Sequence, residues 1–144
     1  MDYEEIKERI KKHEGFISKI YLDSLGKATI GYGHLITEKD NFQEGIEYSI
    51  KELEEVFNKD FNKAVEGANE LTSHLSLVLA TVKGVIIEMV FQLGKTGVSK
   101  FKKFFEALNN QDYNEAANQM LDSNWHKQTP KRCIELSKII RSCA

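Results

Sequence analysis

The sequence has few of the residues that interrupt or cross-link a chain. One proline and nine glycines in 144 residues leave little material for linkers, and neither an internal repeat nor a low-complexity tract is present. The two cysteines are Cys133 and Cys143, whose separation on a helix is about 15 Å at about 1.5 Å per residue, too far for a disulfide. We therefore expect one domain, or two small lobes, with free thiols.

The sequence also lacks an uninterrupted apolar run long enough to cross a membrane. Its most apolar stretch, residues 75–93, contains Lys83 and Glu88. Each of these charges would cost about 2.5 to 3.5 kcal/mol at the centre of a bilayer, so we expect a buried central helix and no stable membrane insertion. The charged segment 1–9 has no apolar stretch of the kind found in a cleavable signal, which predicts a protein made and kept in a cytoplasm.

A strong excess of basic charge is lacking as well. The net charge is −2, and the hydrophobic share of 41% is typical of a soluble globular protein. The charge is unevenly distributed, because residues 95–144 contain nine Lys and Arg against five Asp and Glu. The C-terminal part of the chain can therefore present positive potential to an acidic polymer.

The most informative segment is 13–34, which predicts the end of a helix, a strand, a tight turn at Gly26 and a returning strand. It contains the functional groups of Glu14, Asp23 and Thr29. Two carboxylates facing one cleft can cleave a glycosidic bond, since one donates a proton to the leaving oxygen and the other activates water or attacks the sugar. From spacing alone, however, a solvated helix end and an ordinary turn are the commoner explanation.

Three blocks of sequence, in order along the chain, resemble the phage-type lysozymes, the family of the T4 lysozyme. The resemblance covers nearly the whole chain from about residue 5. The blocks are Glu14-Gly15 with Tyr21-x-Asp23, Gly26 and Thr29-Ile30-Gly31-x-Gly33-His34; then Met89-Val90-Phe91-Gln92-x-Gly94-x-Thr96-Gly97-Val98; then Trp125-x-x-Gln128-Thr129-Pro130-x-Arg132.

The resemblance implies an α+β fold that is mainly α. It is the lysozyme-like two-lobed fold around a cleft, with a small N-terminal antiparallel sheet and a helical C-terminal lobe. The expected single domain covers residues 1–144. Its parts are an N-terminal lobe of about 14–50, a linking helix of about 50–68, and a C-terminal lobe that consists of about 69–144 and the N-terminal helix.

Helical periodicity and capping residues add detail to this expectation. A capping box at Ser49 and Glu52 should start the linking helix. The other helices are predicted at 3–13 (with Ile6 and Ile10 one turn apart), after a turn at 69–75, at 78–91, at 99–108, at 112–122, and from Thr129-Pro130 to near the C-terminus.

The resemblance also implies an activity: a muramidase that hydrolyses the β-1,4 bond between N-acetylmuramic acid and N-acetylglucosamine in peptidoglycan. Glu14 would be the general acid, Asp23 the ionised partner acting through a water with inversion, and Thr29 the group that orients that water. The implied glycan-binding residues are Phe91, Gln92, Thr96, Gly97 and Arg132, and the implied structural ion pair is His34 with Asp60.

As an endolysin, the protein would be a monomer that stays in the host cytoplasm until lysis. A holin would then release it to the periplasmic cell wall, causing host lysis. Neither a metal nor a cofactor is implied.

Two features depart from the family pattern. Residues 37–47 form a shorter, polar segment where the T4-like members have a small helix. Glu88 replaces an asparagine, and a lone charge in an apolar run is expensive unless it is paired. The resemblance implies that Arg132 reaches Glu14 from the last helix, so we expect Arg132 to be shared by Glu14 and Glu88. The open alternative is that Glu88 faces solvent at a helix edge.

Two alternative functions remain open. One is a lysozyme-like protein that binds cell wall without cutting it, which the intact Glu14, Asp23 and Thr29 oppose. The other is nucleic-acid binding by the segment 99–108, where lysines alternate with phenylalanines. The commoner explanation of that segment is one helix with its phenylalanines inward and its lysines outward, so no nucleic-acid partner is expected.

Overall fold

The computed structural model describes residues 3–144, and that part of the chain contains seven helices and three short strands. The fold is α+β and mainly α, as the sequence predicts. The elements in order are α1 (Tyr3–Glu14), β1 (Ile17–Leu22), β2 (Ala28–Gly31), β3 (His34–Leu35), α2 (Ile50–Thr72), α3 (Ala80–Ser99), α4 (Lys102–Asn109), α5 (Tyr113–Leu121), α6 (Asn124–Gln128) and α7 (Pro130–Arg141).

The described chain divides into two compact units, residues 3–63 and residues 64–144, with the boundary inside α2. We refer to them below as the first and second units. No helix within residues 3–144 is both long enough and apolar enough to cross a bilayer. Cys133 and Cys143 are both free thiols, as predicted.

The first unit contains an antiparallel sheet with the strand order β1-β2-β3. Tyr21 pairs with Thr29 across β1 and β2, and a register irregularity lies between Ile17 and Tyr21. The third strand was not predicted, since two residues are too few for an alternation pattern. Apolar side chains of α1 and of the first turns of α2 are buried in this unit, namely Ile6, Ile10, Leu53, Phe57 and Phe61.

The start of α2 follows the prediction, and its end does not. The Ser49 hydroxyl accepts a hydrogen bond from the Glu52 N–H at 3.1 Å, which caps the helix. At the other end α2 continues to Thr72, whose hydroxyl donates to the Ala68 carbonyl at 2.8 Å. The predicted short helix after residues 69–75 is therefore wrong: α2 occupies 69–72, and 73–79 are non-helical.

The second unit is built on α3, whose first turns are largely buried. Gly94 interrupts this helix with a φ of 79°, which only glycine adopts at little cost. The sequence predicts a helix over 78–91, and the family resemblance implies a loop at 94–97. In the structure the helix resumes after Gly94 and ends at Ser99, so the loop prediction is wrong.

The lysine- and phenylalanine-rich segment forms α4 as the commoner explanation predicts. Phe104 and Phe105 are buried, whereas Lys102 and Lys103 are exposed. A short helix that the sequence did not predict, α6, follows α5. Its Ser123 cap accepts from the His126 N–H at 3.2 Å.

Pro130 occupies the first turn of α7, as predicted, and Thr129 holds the N-cap position without a side-chain capping bond. The Thr129 hydroxyl is instead used by two neighbouring groups, described below.

Candidate active site

Glu14 is the last residue of α1 and packs against a glycine of the β2–β3 turn. A Cβ atom placed on Gly33 would lie 2.6 Å from Glu14 Oε1, far inside van der Waals contact, and Gly33 has a φ of +74°. Both constraints demand glycine, because a side chain there would displace the carboxylate and strain the backbone. The glycine of the Gly31-x-Gly33-His34 block therefore leaves the space that the Glu14 carboxylate occupies.

Asp23 sits at the reversal between β1 and β2, and one of its carboxylate oxygens is fully engaged by the turn. Asp23 Oδ1 accepts from the Leu25 N–H at 2.9 Å and from the Lys27 N–H at 2.8 Å. The backbone N–H of Asp23 also donates to the Lys27 carbonyl at 2.9 Å. Within residues 3–144, Oδ2 accepts no hydrogen bond, so this oxygen is available to a water molecule or a sugar.

Tyr21 connects the two carboxylates. Burial raises the pKa of the Tyr21 phenol, and the nearby charges of Glu14 and Asp23 raise it further. The Tyr21 phenol is therefore influenced electrostatically by both carboxylates, although β1 separates them along the chain. Tyr21 also pairs with Thr29 in the sheet, so all three predicted catalytic residues lie around it in the first unit.

Thr29 is buried, with 2% of its surface exposed, and its hydroxyl hydrogen is already used. Thr29 Oγ1 donates to the Lys27 carbonyl at 2.9 Å, in the same turn that holds Asp23. The hydroxyl can therefore serve a water molecule only as an acceptor. This restricts the predicted role of Thr29 to accepting a hydrogen from the water beside Asp23.

His34 contacts two aspartates, one predicted and one not. Its Nδ1 lies 2.7 Å from Asp60 Oδ2, the predicted partner, and its Nε2 lies 3.0 Å from Asp40 Oδ2. The hydrogen bond to Asp60 raises the pKa of His34 against the lowering effect of burial, and Asp40 adds to the increase. Asp40 also accepts from the Thr37 N–H at 2.8 Å, so His34 ties the irregular segment after β3 to α2.

The pKa of Asp40 is shifted in the opposite direction. Burial alone would raise it, but the hydrogen bonds from the Thr37 N–H and from His34 lower it overall. Sequence reasoning missed this residue, and the available signal was a Thr-x-x-Asp turn at Thr37, which marks a local side-chain hydrogen bond without naming His34 as a partner.

In the second unit, Gln92 is held by two residues of the third sequence block. Gln92 Oε1 accepts from Trp125 Nε1 at 2.9 Å, and Gln92 Nε2 donates to Thr129 Oγ1 at 3.1 Å. Thr129 Oγ1 donates in turn to the Trp125 carbonyl at 3.3 Å. This arrangement fixes the orientation of the Gln92 amide. The other predicted glycan-binding residues of α3 are reachable by solvent: Phe91 and Gly97 are half-buried and Thr96 is exposed.

Glu88 and Arg132 form a buried ion pair between α3 and α7. Arg132 Nε donates to Glu88 Oε2 at 2.8 Å, and the glutamate is 0% exposed. The interpretation that Glu88 faces solvent is therefore wrong, and the expected Glu88–Arg132 contact is confirmed. That Arg132 is also shared with Glu14 stays a prediction.

Across residues 3–144, no cluster of three or more His, Cys, Asp or Glu side chains could hold a metal ion. The chemistry available to the site is that of carboxylates, a hydroxyl, a phenol and an amide.

The chain is similar to known proteins of one family over most of its length. The chain matches the Phage lysozyme family over residues 11–139. It is 33% identical to the Probable T4-type lysozyme 2 of Dictyostelium discoideum, over 88% of this chain and 88% of that protein. It is 31% identical to the Probable T4-type lysozyme 1 of the same organism, over 95% and 94% of the two chains. It is also 26% identical to the Pre-baseplate central spike protein Gp5 of Enterobacteria phage T4, over 92% of this chain but 27% of that protein.

Proposed function

Because the chain belongs to the phage lysozyme family and is a glycoside hydrolase of lysozyme type acting on peptidoglycan, we propose that it cleaves one particular bond. This is the β-1,4 linkage between N-acetylmuramic acid and N-acetylglucosamine. The observation that carries the proposal is the placement of Glu14 and Asp23 around Tyr21 in one compact unit. A pair of carboxylates facing the same space is the minimum that hydrolysis of a glycosidic bond requires.

In this mechanism, Glu14 donates its proton to the leaving glycosidic oxygen. The absence of a side chain at Gly33 leaves room for the carboxyl group beside the β2–β3 turn. Asp23 uses its open oxygen, Oδ2, to accept a proton from the attacking water, while Oδ1 stays fixed by the turn. A water attacking from the side opposite the leaving group inverts the anomeric centre.

Thr29 completes the placement of that water. Because its hydroxyl hydrogen is used by the Lys27 carbonyl, the hydroxyl oxygen accepts from the water and turns the water's lone pair toward the sugar. Phe91, Gln92, Thr96, Gly97 and Arg132 bind the glycan. Of these, Gln92 offers the best-oriented group, since Trp125 and Thr129 hold its amide.

Replacing Glu14 with glutamine tests this assignment. Glu14→Gln keeps the size of the side chain but removes its transferable proton, so the rate of reducing-end release from purified peptidoglycan should fall by about a thousandfold. The melting temperature should stay close to that of the parent protein. The matched control is Glu8→Gln, an exposed glutamate on the same helix, which should remain fully active.

Full activity in Glu14→Gln would contradict the proposal. NMR of the first product formed by the parent protein would identify the anomer, and retention would contradict the role given to Asp23.

The proposal includes the biological role of an endolysin. The protein would accumulate as a monomer in the host cytoplasm and reach the wall after a holin opens the membrane. The matched relatives include probable T4-type lysozymes of Dictyostelium discoideum and a pre-baseplate central spike protein of phage T4, so roles other than that of an endolysin need to be separated by experiment. Expression with and without a holin separates these roles, since an endolysin should lyse cells only when the holin is present.

A further inference from the structure

The second unit contains a groove of about 920 Å³ next to the proposed glycan-binding segment. Gly97 lies at its edge, and its walls come from the first turn of α4, the end of α5 and α6. The groove contains none of Glu14, Asp23 or Thr29. Of the proposed glycan-binding residues, Gly97 is the one among its described lining residues, so most of the groove has no role assigned above.

Lysines dominate the charge of this groove. Lys100, Lys102 and Lys103 line it on one side, and Lys127 lines it on the other, with Asp122 as the single acidic residue among the described lining residues. All four lysines are exposed, and within residues 3–144 none of them lies within 4 Å of a carboxylate. Some lysines elsewhere in the chain are paired, as Lys95 is with Glu70.

We propose that this groove binds the phosphodiester chain of an anionic cell-wall polymer, such as a repeating polyol phosphate attached to peptidoglycan. A repeating phosphate charge matches lysines distributed along two walls. Lysine ammonium groups bind phosphate as compact point charges, and lysines are the basic side chains among the described lining residues apart from His126. The positive end of the α4 dipole adds to the same potential.

The aromatic residues around the groove argue against nucleic acid as its ligand. Binding of single strands depends on aromatic faces on which bases stack. Phe104 and Trp125 are only 1% and 3% exposed. Phe101 packs edge-on against both, with ring centroids 6.4 Å and 6.2 Å away. Phe104 and Trp125 therefore offer no face to a base, and Phe101, which is half-buried, is the one ring of these three that solvent reaches.

The choice of a wall polymer rests on the proposed function, since peptidoglycan is the structure to which such polymers are attached. Binding in the groove would hold the enzyme close to its substrate between cleavage events. It would also explain how a protein with a net charge of −2 approaches an acidic surface. The retention would weaken with salt, because it depends on counterion release.

A soluble probe tests the groove separately from hydrolysis. We would measure binding of fluorescent poly(glycerol phosphate) to the full chain, to Lys103→Gln/Lys127→Gln, and to the control Lys59→Gln/Lys63→Gln. The control removes the same charge from exposed positions on α2. The groove variant should bind about tenfold more weakly, and its slope of log K against log salt should be smaller by about 1.4. The control should bind as the parent protein does.

Further probes and an activity assay sharpen the result. Polyglutamate and single-stranded DNA of equal charge should bind at least tenfold more weakly than poly(glycerol phosphate). Equal affinity for polyglutamate, tighter binding of DNA, or an unchanged affinity in the groove variant would each overturn the proposal. Activity on peptidoglycan stripped of phosphate polymers should be unchanged in the groove variant. An inactive parent protein that still binds the probe would refute the proposed function but not the groove.

Discussion

Each unit contains a cluster in which an acidic side chain lies against a basic one, and the two clusters differ in how much water reaches them. In the second unit, Glu88 is fully buried and Arg132 nearly so. In the first unit, His34 and its partners Asp60 and Asp40 remain partly exposed, with side-chain exposures between 16% and 28%. Removing a member of the buried pair leaves a charge in an apolar interior, whereas water can compensate at the exposed cluster.

The difference also sets how each cluster responds to pH. A histidine side chain gains or loses a proton near neutral pH. The charge of the His34 cluster therefore changes within an ordinary pH range. The buried pair contains no histidine, the side chain whose ordinary pKa lies near neutrality. The stability contributed by the His34 cluster therefore depends on pH near neutrality, whereas the contribution of the Glu88–Arg132 pair does not.

The largest effect is expected at the buried pair. Glu88→Gln keeps the shape of the side chain but leaves the Arg132 charge without this partner, which should lower the free energy of unfolding by about 3 kcal/mol. Urea unfolding followed by circular dichroism measures this change. Glu106→Gln, on the exposed side of α4, is the matched control and should change stability by less than about 0.5 kcal/mol. Equal stability of the two variants would show that the buried pair is not needed.

The two clusters also differ in how far the sequence predicted them. A partner for Glu88 was predictable because a charge inside an apolar run needs one, and its identity as Arg132 followed from family resemblance. The contact between His34 and Asp60 followed from family resemblance. Asp40 was not predictable, because an irregular segment has no periodicity that says where a side chain will point. The same reason explains why α6, at five residues, was missed.

The exposed cluster should show a smaller effect that depends on pH. Asp60→Asn removes the main cause of the raised pKa of His34. Below the ordinary His34 pKa of 6.5 the charged histidine stabilises the fold fully, and this contribution is lost as pH rises through its raised folded value. The variant should therefore lose about 1.5 kcal/mol at pH 5.5 and little at pH 9. An equal loss at both pH values would contradict a role for the His34 charge.

The smallest loss of folding stability is expected from Asp40→Asn, and it should occur over the narrowest range of pH. The lowered pKa of Asp40 makes its contribution complete above its ordinary value of 3.8 and lost as pH falls through the folded value. The raised pKa of His34 makes the histidine side of the contact complete below 6.5. The variant should thus lose about 0.5 kcal/mol near pH 5 and less at both extremes.

Thermal unfolding at pH 3, 5 and 9 measures that window, with Asp122→Asn as the control because Asp122 is exposed and makes no ion pair within residues 3–144. A loss that persists undiminished at pH 9 would mean that Asp40 acts through its bond from Thr37 and not through His34. The first unit would then contain a pair formed by His34 and Asp60, and the turn of Thr37 and Asp40 would be independent of that pair. A loss confined to the middle of the pH range would establish that His34 interacts with both aspartates. The segment after β3 would then be held by a charge that depends on pH, which the buried pair of Glu88 and Arg132 does not provide.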